Sequence, residues 1–274
     1  MMVEALVYFF VPALVGVLIG IASGLLGIGG GTVMVPIFRL AFGMSATMST
    51  ATSLFAIIPT SISGAISHVK GKTCIPALGI AAGLGGACMS PIGVWLAQLS
   101  PDWLVMLAAA LIIGYSAINM FKKAFKVPRA GQPAEGADAA APTADDPSLS
   151  RKQLLQGAAI GLVAGLASGY VGVGGGFIMV PLMLSIIGIP MRKASGTSLI
   201  AVMILAIPGV IKQGIIGNIN YLAGIAIVIG AIPGAVIGAR LVTKMPERTL
   251  RLLFGCFLIV AAVMLVLNEV GIFG

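Results

Sequence analysis

Two stretches of this sequence could hold a small ligand with backbone groups alone. Residues 22–36 read ASGLLGIGGGTVMVP and residues 167–181 read ASGYVGVGGGFIMVP. Three consecutive glycines let a chain adopt positive φ and leave N–H groups uncovered by side chains. The residues that follow, Thr32 to Pro36 and Phe177 to Pro181, would start short helices whose first amides and dipole favour an anion. Gly27, Gly29, Gly30, Gly31 and Thr32 are the candidate substrate-binding residues of the first copy, and Gly172, Gly174, Gly175 and Gly176 those of the second. Two such N-termini facing each other would hold one small oxyanion without a buried cation. Close helix packing is the competing use of these glycines, and recurrence of the whole pattern favours a site. Thr52 with Ser53, and Thr197 with Ser198, add hydroxyls able to donate to an oxyanion or to bond the carbonyl four residues back. Pro36 and Pro181 are the candidate gating or helix-breaking positions.

The missing chemistry is as informative. The eight acids, Glu4, Asp102, Glu135, Asp138, Asp145, Asp146, Glu247 and Glu269, all fall outside the centres of the apolar segments. That argues against cation transport or an intramembrane acidic relay and suits a substrate that is itself negative. A GxxxxGKS phosphate loop is absent, so no ATP-driven step is expected. Cys74, Cys88 and Cys256 lack metal-ligand spacing and read as free thiols, with no metal and no cofactor. His68 is the single histidine, beside Lys70 and Lys72. It is expected to be interfacial and solvated, with proton coupling as the alternative. Ser67 is adjacent to it and Ser63 five residues before it, spacings that do not face a serine to a histidine on a helix, so no enzyme is expected. Asn119 reads as a helix-end residue or polar lining, and Trp95 and Trp103 as interface anchors.

The elements that must position the glycines belong in lipid. Of 274 residues, 59% are hydrophobic and 9% charged, far from the composition of soluble domains. Apolar stretches long enough to cross the bilayer as helices recur along the chain. Ten-residue alternating strands do not, which excludes a β-barrel. The first stretch lacks a basic start and a cleavage site, and reads as a helix rather than a signal peptide. The net charge of +8 comes from basic residues at segment ends rather than from one patch, so nucleic acid is not a partner.

One register relates the two halves. Pro36 pairs with Pro181, 145 positions later, and the same offset pairs Gly16 with Gly161, Thr52 with Thr197, Gly93 with Gly238 and Pro101 with Pro246. The first transmembrane repeat covers residues 1–125 and the second 151–274. Between them, residues 126–150 are rich in Ala, Pro, Gly and Asp and read as a flexible aqueous linker. Apolar segments run at about 6–26, 32–43, 46–67, 75–98 and 102–121, then 153–171, 177–190, 194–213, 220–243 and 247–268. If each glycine run merely interrupts a spanning helix, each repeat crosses four times and the sixteen basic residues split nine against seven. If each glycine run turns a re-entrant hairpin, the split is fourteen against two, with only Arg39 and Lys212 on the minority side. Basic residues collect on the cytoplasmic side. The expectation is therefore an all-α integral membrane protein with two inverted repeats of about five membrane segments each and Gly-interrupted, re-entrant or broken helices. It would lie in the inner (plasma) membrane with the linker cytoplasmic and both termini outside.

The duplicated GIGGGTVMVP and GVGGGFIMVP, followed by TATSL and SGTSL, resemble the TauE/SafE family, also called the toluene-sulfonate uptake permease family. The likeness covers both membrane halves and fails only in the linker. It implies secondary transport of small sulfur-containing anions, sulfite or sulfonates such as sulfoacetate, often by export. An anion channel, or uptake of a related oxyanion, is the alternative. The sequence is compatible with a coupling proton and with a homodimer.

Overall fold

A computed structural model describes the backbone of residues 2–125 and 150–269, with side chains from 12–125 and 150–267. Residues 126–149 of the expected linker, and both chain ends, lie outside the described residues. The ten expected segments are ten helices. In the first half α1 is Met2–Leu26, α2 Gly31–Phe42, α3 Ala46–Lys70, α4 Pro76–Leu99 and α5 Asp102–Phe125. In the second, α6 is Arg151–Val171, α7 Gly176–Leu182 with a π-helical turn Met183–Ile187, α8 Met191–Ile216, α9 Tyr221–Leu241 with a 3₁₀ turn Val242–Lys244, and α10 Glu247–Glu269. Among the described residues seven helices are long and apolar enough to cross a membrane, and shorter apolar stretches are Gly31–Phe42, Gly176–Ile187 and Pro12–Leu26, the part of α1 whose side chains are described. No strand occurs among the described residues.

Glycine contacts give the helix directions. Along α1, Gly16, Gly20 and Gly24 meet Ile227, Ala231 and Ala235 of α9 in turn, so the two helices run parallel. Along α6, Gly161, Gly165 and Gly169 meet Ala82, Gly86 and Ser90 of α4, again in parallel. Gly64 of α3 meets Leu199 of α8 while Gly209 of α8 meets Leu54 of α3, so these two are antiparallel. Short turns reverse the chain between α3 and α4 and between α8 and α9. It follows that α1 and α6, equivalent helices of the two repeats, point in opposite directions, and the repeats are inverted. Small residues let the paired backbones touch, which is how helices bind one another in lipid, where apolar burial alone gives no preference between partners.

The repeats are not separate packing units. α1 of the first half packs most extensively on α9 of the second, and α6 of the second on α4 of the first. Two symmetric groups result, α1–α3–α9 and α6–α8–α4, meeting at the α3–α8 contact, with α5 and α10 paired outside them.

The acids that the sequence leaves at segment ends have a structural use. Asp102 accepts hydrogen bonds from the Ala46 amide at 3.2 Å and the Thr47 hydroxyl at 3.4 Å. Its repeat equivalent, Glu247, accepts from the Met191 amide at 3.3 Å and pairs with Arg251. Each carboxylate thus holds the first amide of the long helix after the glycine break, α3 or α8. Asp102→Ala should cost about 1 kcal/mol of stability, as loss of an N-terminal acceptor does. A fall of roughly 2–4 °C in melting temperature in detergent checks it, and Asp102→Asn should recover part of the loss.

Candidate functional site

Both glycine runs turn the chain back into the membrane. Gly27, Gly29 and Gly30 have φ of 75°, 79° and 83°, and Gly172, Gly174 and Gly175 have 74°, 85° and 67°. After α1 ends, Gly30 returns beside Ile19 and Ser23 of that helix, and Gly175 returns beside Ala164 and Ser168 of α6. The breaks are therefore re-entrant hairpins, and α2 and α7 are half-helices that begin inside the molecule.

The hairpins meet at the pseudo-twofold axis. A Cβ on Gly31 would stand 2.6 Å from the Val173 carbonyl oxygen, and one on Gly176 would stand 2.9 Å from Ile28 Cα. Gly27 lies equally close to Ser195, and Gly172 to Thr50. At these four positions glycine is required because backbone meets backbone, which is the packing use. At Gly29, Gly30 and Gly174 the nearest neighbours are side chains, and positive φ is the stronger constraint.

The Thr/Ser pairs tie the two halves together. Ser53 Oγ donates to the Gly172 carbonyl at 2.9 Å, and Ser198 Oγ donates to the Gly27 carbonyl at 2.7 Å. Thr52 Oγ1 accepts from the Asn220 amide at 3.0 Å, and Thr197 Oγ1 from the Ile75 amide at 2.9 Å. Both amides stand at helix starts, of α9 and α4. None of the four hydroxyls bonds a carbonyl four residues back, but Ser198 Oγ also reaches its own helix backbone, the Ser195 carbonyl three residues back, at 2.8 Å. Sequence separation hides the bonds between halves, whose partners are more than a hundred residues away.

A different set of hydroxyls is left without partners. Among the described residues Ser49 and Ser90 are fully buried without a hydroxyl partner, and so are Ser23, Thr32, Ser61 and Ser168, which lie in or against the glycine hairpins. Ser23 and Ser168 are repeat equivalents beside Gly30 and Gly175, and Ser61 Oγ stands 3.3 Å from where a Cβ on Gly29 would be. In the first turn of α2, Val33 and Met34 donate to the Gly30 carbonyl, while Gly31 and Thr32, at the helix start, have no intrahelical acceptor. Of the four at the hairpins the sequence reading named only Thr32. The signal for Ser23 and Ser168 was present, since both belong to the duplicated ASG at the head of each motif.

Three expectations are corrected. Pro36 does not break a helix, because α2 continues through it to Phe42; the break lies at the glycines before it. Pro181 likewise sits inside α7, though a π-helical turn begins two residues later. His68 is fully buried rather than solvated. Its Nε2 is 2.7 Å from the Gly24 carbonyl, which can only accept, so the ring donates there; Nδ1, 2.7 Å from the Thr73 hydroxyl, accepts. Gly196 of α8 packs against the imidazole, a cover invisible in the local sequence. Ser63 donates to the Ile232 carbonyl and Ser67 to the Ser63 carbonyl, so neither is paired with His68. Among the cysteines, Cys74 is buried in the turn between α3 and α4, which pushes its thiol up to about 11 and suppresses the reactive thiolate.

A family model described as Sulfite exporter TauE/SafE matches residues 12–265. The chain belongs to the TauE/SafE family. Relatives of this TauE/SafE protein extend over almost its full length. It is 28% identical to the probable membrane transporter protein YunE of Bacillus subtilis, covering 97% of this chain and 99% of that one. It is 27% identical to YdhB of the same organism, likewise a probable membrane transporter protein, over 87% and 92% of the two chains. A probable membrane transporter protein of Haemophilus influenzae is 29% identical over 91% and 95%. No solved structure matches the chain. This TauE/SafE protein is a multi-pass membrane transporter.

Proposed function

We propose that the protein is a secondary transporter of small sulfur-containing anions, sulfite or sulfonates such as sulfoacetate, working by alternating access. The observation that carries the reading is the set of four buried, unpartnered hydroxyls around two re-entrant glycine hairpins. A buried hydroxyl without a partner costs about 1–3 kcal/mol, and an oxyanion bound at a hairpin would supply the acceptor that the hydroxyls beside it lack. The start of α2 adds free amides and the positive end of a helix dipole. Hydroxyls and amides bind an anion without the desolvation cost of a buried Lys or Arg. Thr32 and Ser61 are replaced by Phe177 and Ala206 at the equivalent positions, so donors are denser at the first hairpin and the anion sits nearer α2 than α7.

The packing also suggests which bodies move. α1–α3–α9 and α6–α8–α4 would rock against each other about the α3–α8 contact, rather than one sequence half against the other. The excess of Lys and Arg on the linker side supports a plasma-membrane protein with a cytoplasmic linker and external termini.

Purified protein reconstituted in liposomes and mounted on a solid-supported membrane tests the substrate. Sulfite or a short sulfonate should give saturable currents, with chloride and sulfate giving much smaller ones. Dependence on an imposed pH gradient would reveal a coupling proton. Large unsaturating currents would identify a channel instead, and silence towards every sulfur anion from folded protein would remove the substrate class.

A further inference from the structure

A cavity of about 820 Å³ lies between α4, α5, α6 and the α7 hairpin, within the roughly 300–1,000 Å³ that holds an organic ligand. Its walls are apolar, with Leu96, Ile112, Val163, Leu166, Ile178 and Leu182 among them. It opens sideways, past the exposed Tyr115 and Val163, on the outward faces of helices that cross the bilayer. One side is different. Ser116, Asn119 and Lys123 project into the cavity from successive turns of α5 and end at the junction with the linker. Lys123 Nζ donates to the Pro181 carbonyl at 2.8 Å and to the Ser185 hydroxyl. No carboxylate is within ion-pair distance of it among the described residues; Arg251 Nη1 bonds the Lys123 carbonyl, with its own charge paired to Glu247.

The repeat shows that this polar edge is not needed for packing. The equivalents of Tyr170, Ser116, Asn119 and Ser185 are Leu25, Ala261, Met264 and Leu40, and the position of Lys123 is taken by the uncharged Asn268. One half thus carries a cation and four hydroxyl or amide groups where the other has none of the charge and almost none of the polarity.

We propose that this cavity binds an anionic phospholipid of the leaflet that faces the linker. One acyl chain fills the apolar slot, and the phosphate meets the Lys123 ammonium, in the manner of basic pockets between membrane helices. Fourteen of the sixteen basic residues lie on that side, which makes an anionic headgroup the complementary partner. Because Lys123 already bonds α5 to Pro181 and Ser185 of the second hairpin, the bound lipid joins that hairpin to the outer helices.

Native mass spectrometry of the full protein, exchanged between phosphatidylglycerol and phosphatidylcholine in detergent, tests this. The wild type should retain one phosphatidylglycerol with about a tenfold preference over phosphatidylcholine, the effect of one charge-assisted hydrogen-bonded contact. Lys123→Met, which keeps the apolar stem, should bring that preference to near unity. Ala167→Phe should lose retention of both lipids by filling the slot. Equal retention of the two lipids by the wild type, or an undiminished preference in Lys123→Met, overturns the proposal. Competition by millimolar inorganic phosphate as effective as that by the lipid would show a free-anion site and overturn it too. Should Ala167→Phe fail to fold, Lys123→Met alone decides.

Discussion

Leucine in place of Gly161 should leave no folded transporter. A Cβ at this position would overlap the Ala82 carbonyl oxygen, and Gly165 and Gly169, one and two turns on, are equally tight against Gly86 and Ser90. Overpacking usually costs about 1–3 kcal/mol because side chains can shift. Here the obstacle is backbone in a facing helix, so α4 and α6 must separate along the whole seam and break its other contacts. That loss is comparable with the roughly 5–15 kcal/mol that keeps a protein folded. Gly230→Leu should behave alike, since its Cβ would overlap the Ala13 carbonyl in the symmetric α1–α9 seam. Gly114→Leu is the control, with nothing within 4 Å of its Cβ. Fluorescence-detected size exclusion of a fused reporter should give one sharp peak for Gly114→Leu and only void-volume material for the other two. A sharp wild-type peak from Gly161→Leu would mean that the parallel seam is wrong.

Removing the unpartnered hydroxyls should have the opposite balance of effects. Ser23→Ala, Thr32→Val and Ser61→Ala each delete a buried group that has no hydrogen-bond partner among the described residues, so thermal stability should stay level or rise. Each would also delete a donor to the bound anion, a contact worth roughly 1.5–3 kcal/mol when the acceptor is charged. The apparent affinity for sulfite or sulfonate should therefore fall by about tenfold or more per substitution, least for Ser168→Ala at the sparser second hairpin. Ser53→Ala and Ser198→Ala provide the contrast. Their hydroxyls bond the opposite hairpin's carbonyls, so these variants should melt earlier. If Ser23→Ala and Thr32→Val lose stability yet keep wild-type concentration dependence in transport currents, the anion binds elsewhere.

The glycine motifs illustrate how one sequence feature carries two uses. Gly31 and Gly176 are needed where the hairpins touch, Gly27 and Gly172 where left-handed backbone also packs against α8 and α3, and Gly29, Gly30 and Gly174 chiefly for left-handed backbone. Spacing alone made all of them site candidates. The Thr/Ser pairs were legible as important because they recur at one offset, but their recurrence reflects a symmetric tie between halves. Ser23 and Ser168 recur just as faithfully, and went unremarked because a serine in an apolar helix is ordinarily satisfied by its own backbone. Whether it is satisfied depends on what lies opposite.

Hydrophobic length, charge at segment ends and internal repetition are properties of position along the chain, and these determined the ten helices, the duplication and the inversion without reference to any contact. Fourteen basic residues against two chose the hairpin topology because each cationic end favours one side of the membrane independently of its neighbours. Which helices touch was decided only in three dimensions. In lipid every apolar face is equally content, so partner choice falls to small-residue seams and hydrogen bonds whose two sides lie far apart in sequence. That is why α1 belongs with α9, why His68 is covered by α8, and why the unpartnered hydroxyls around the glycine hairpins could be recognised only once Ser53, Ser198, Thr52 and Thr197 had found their partners.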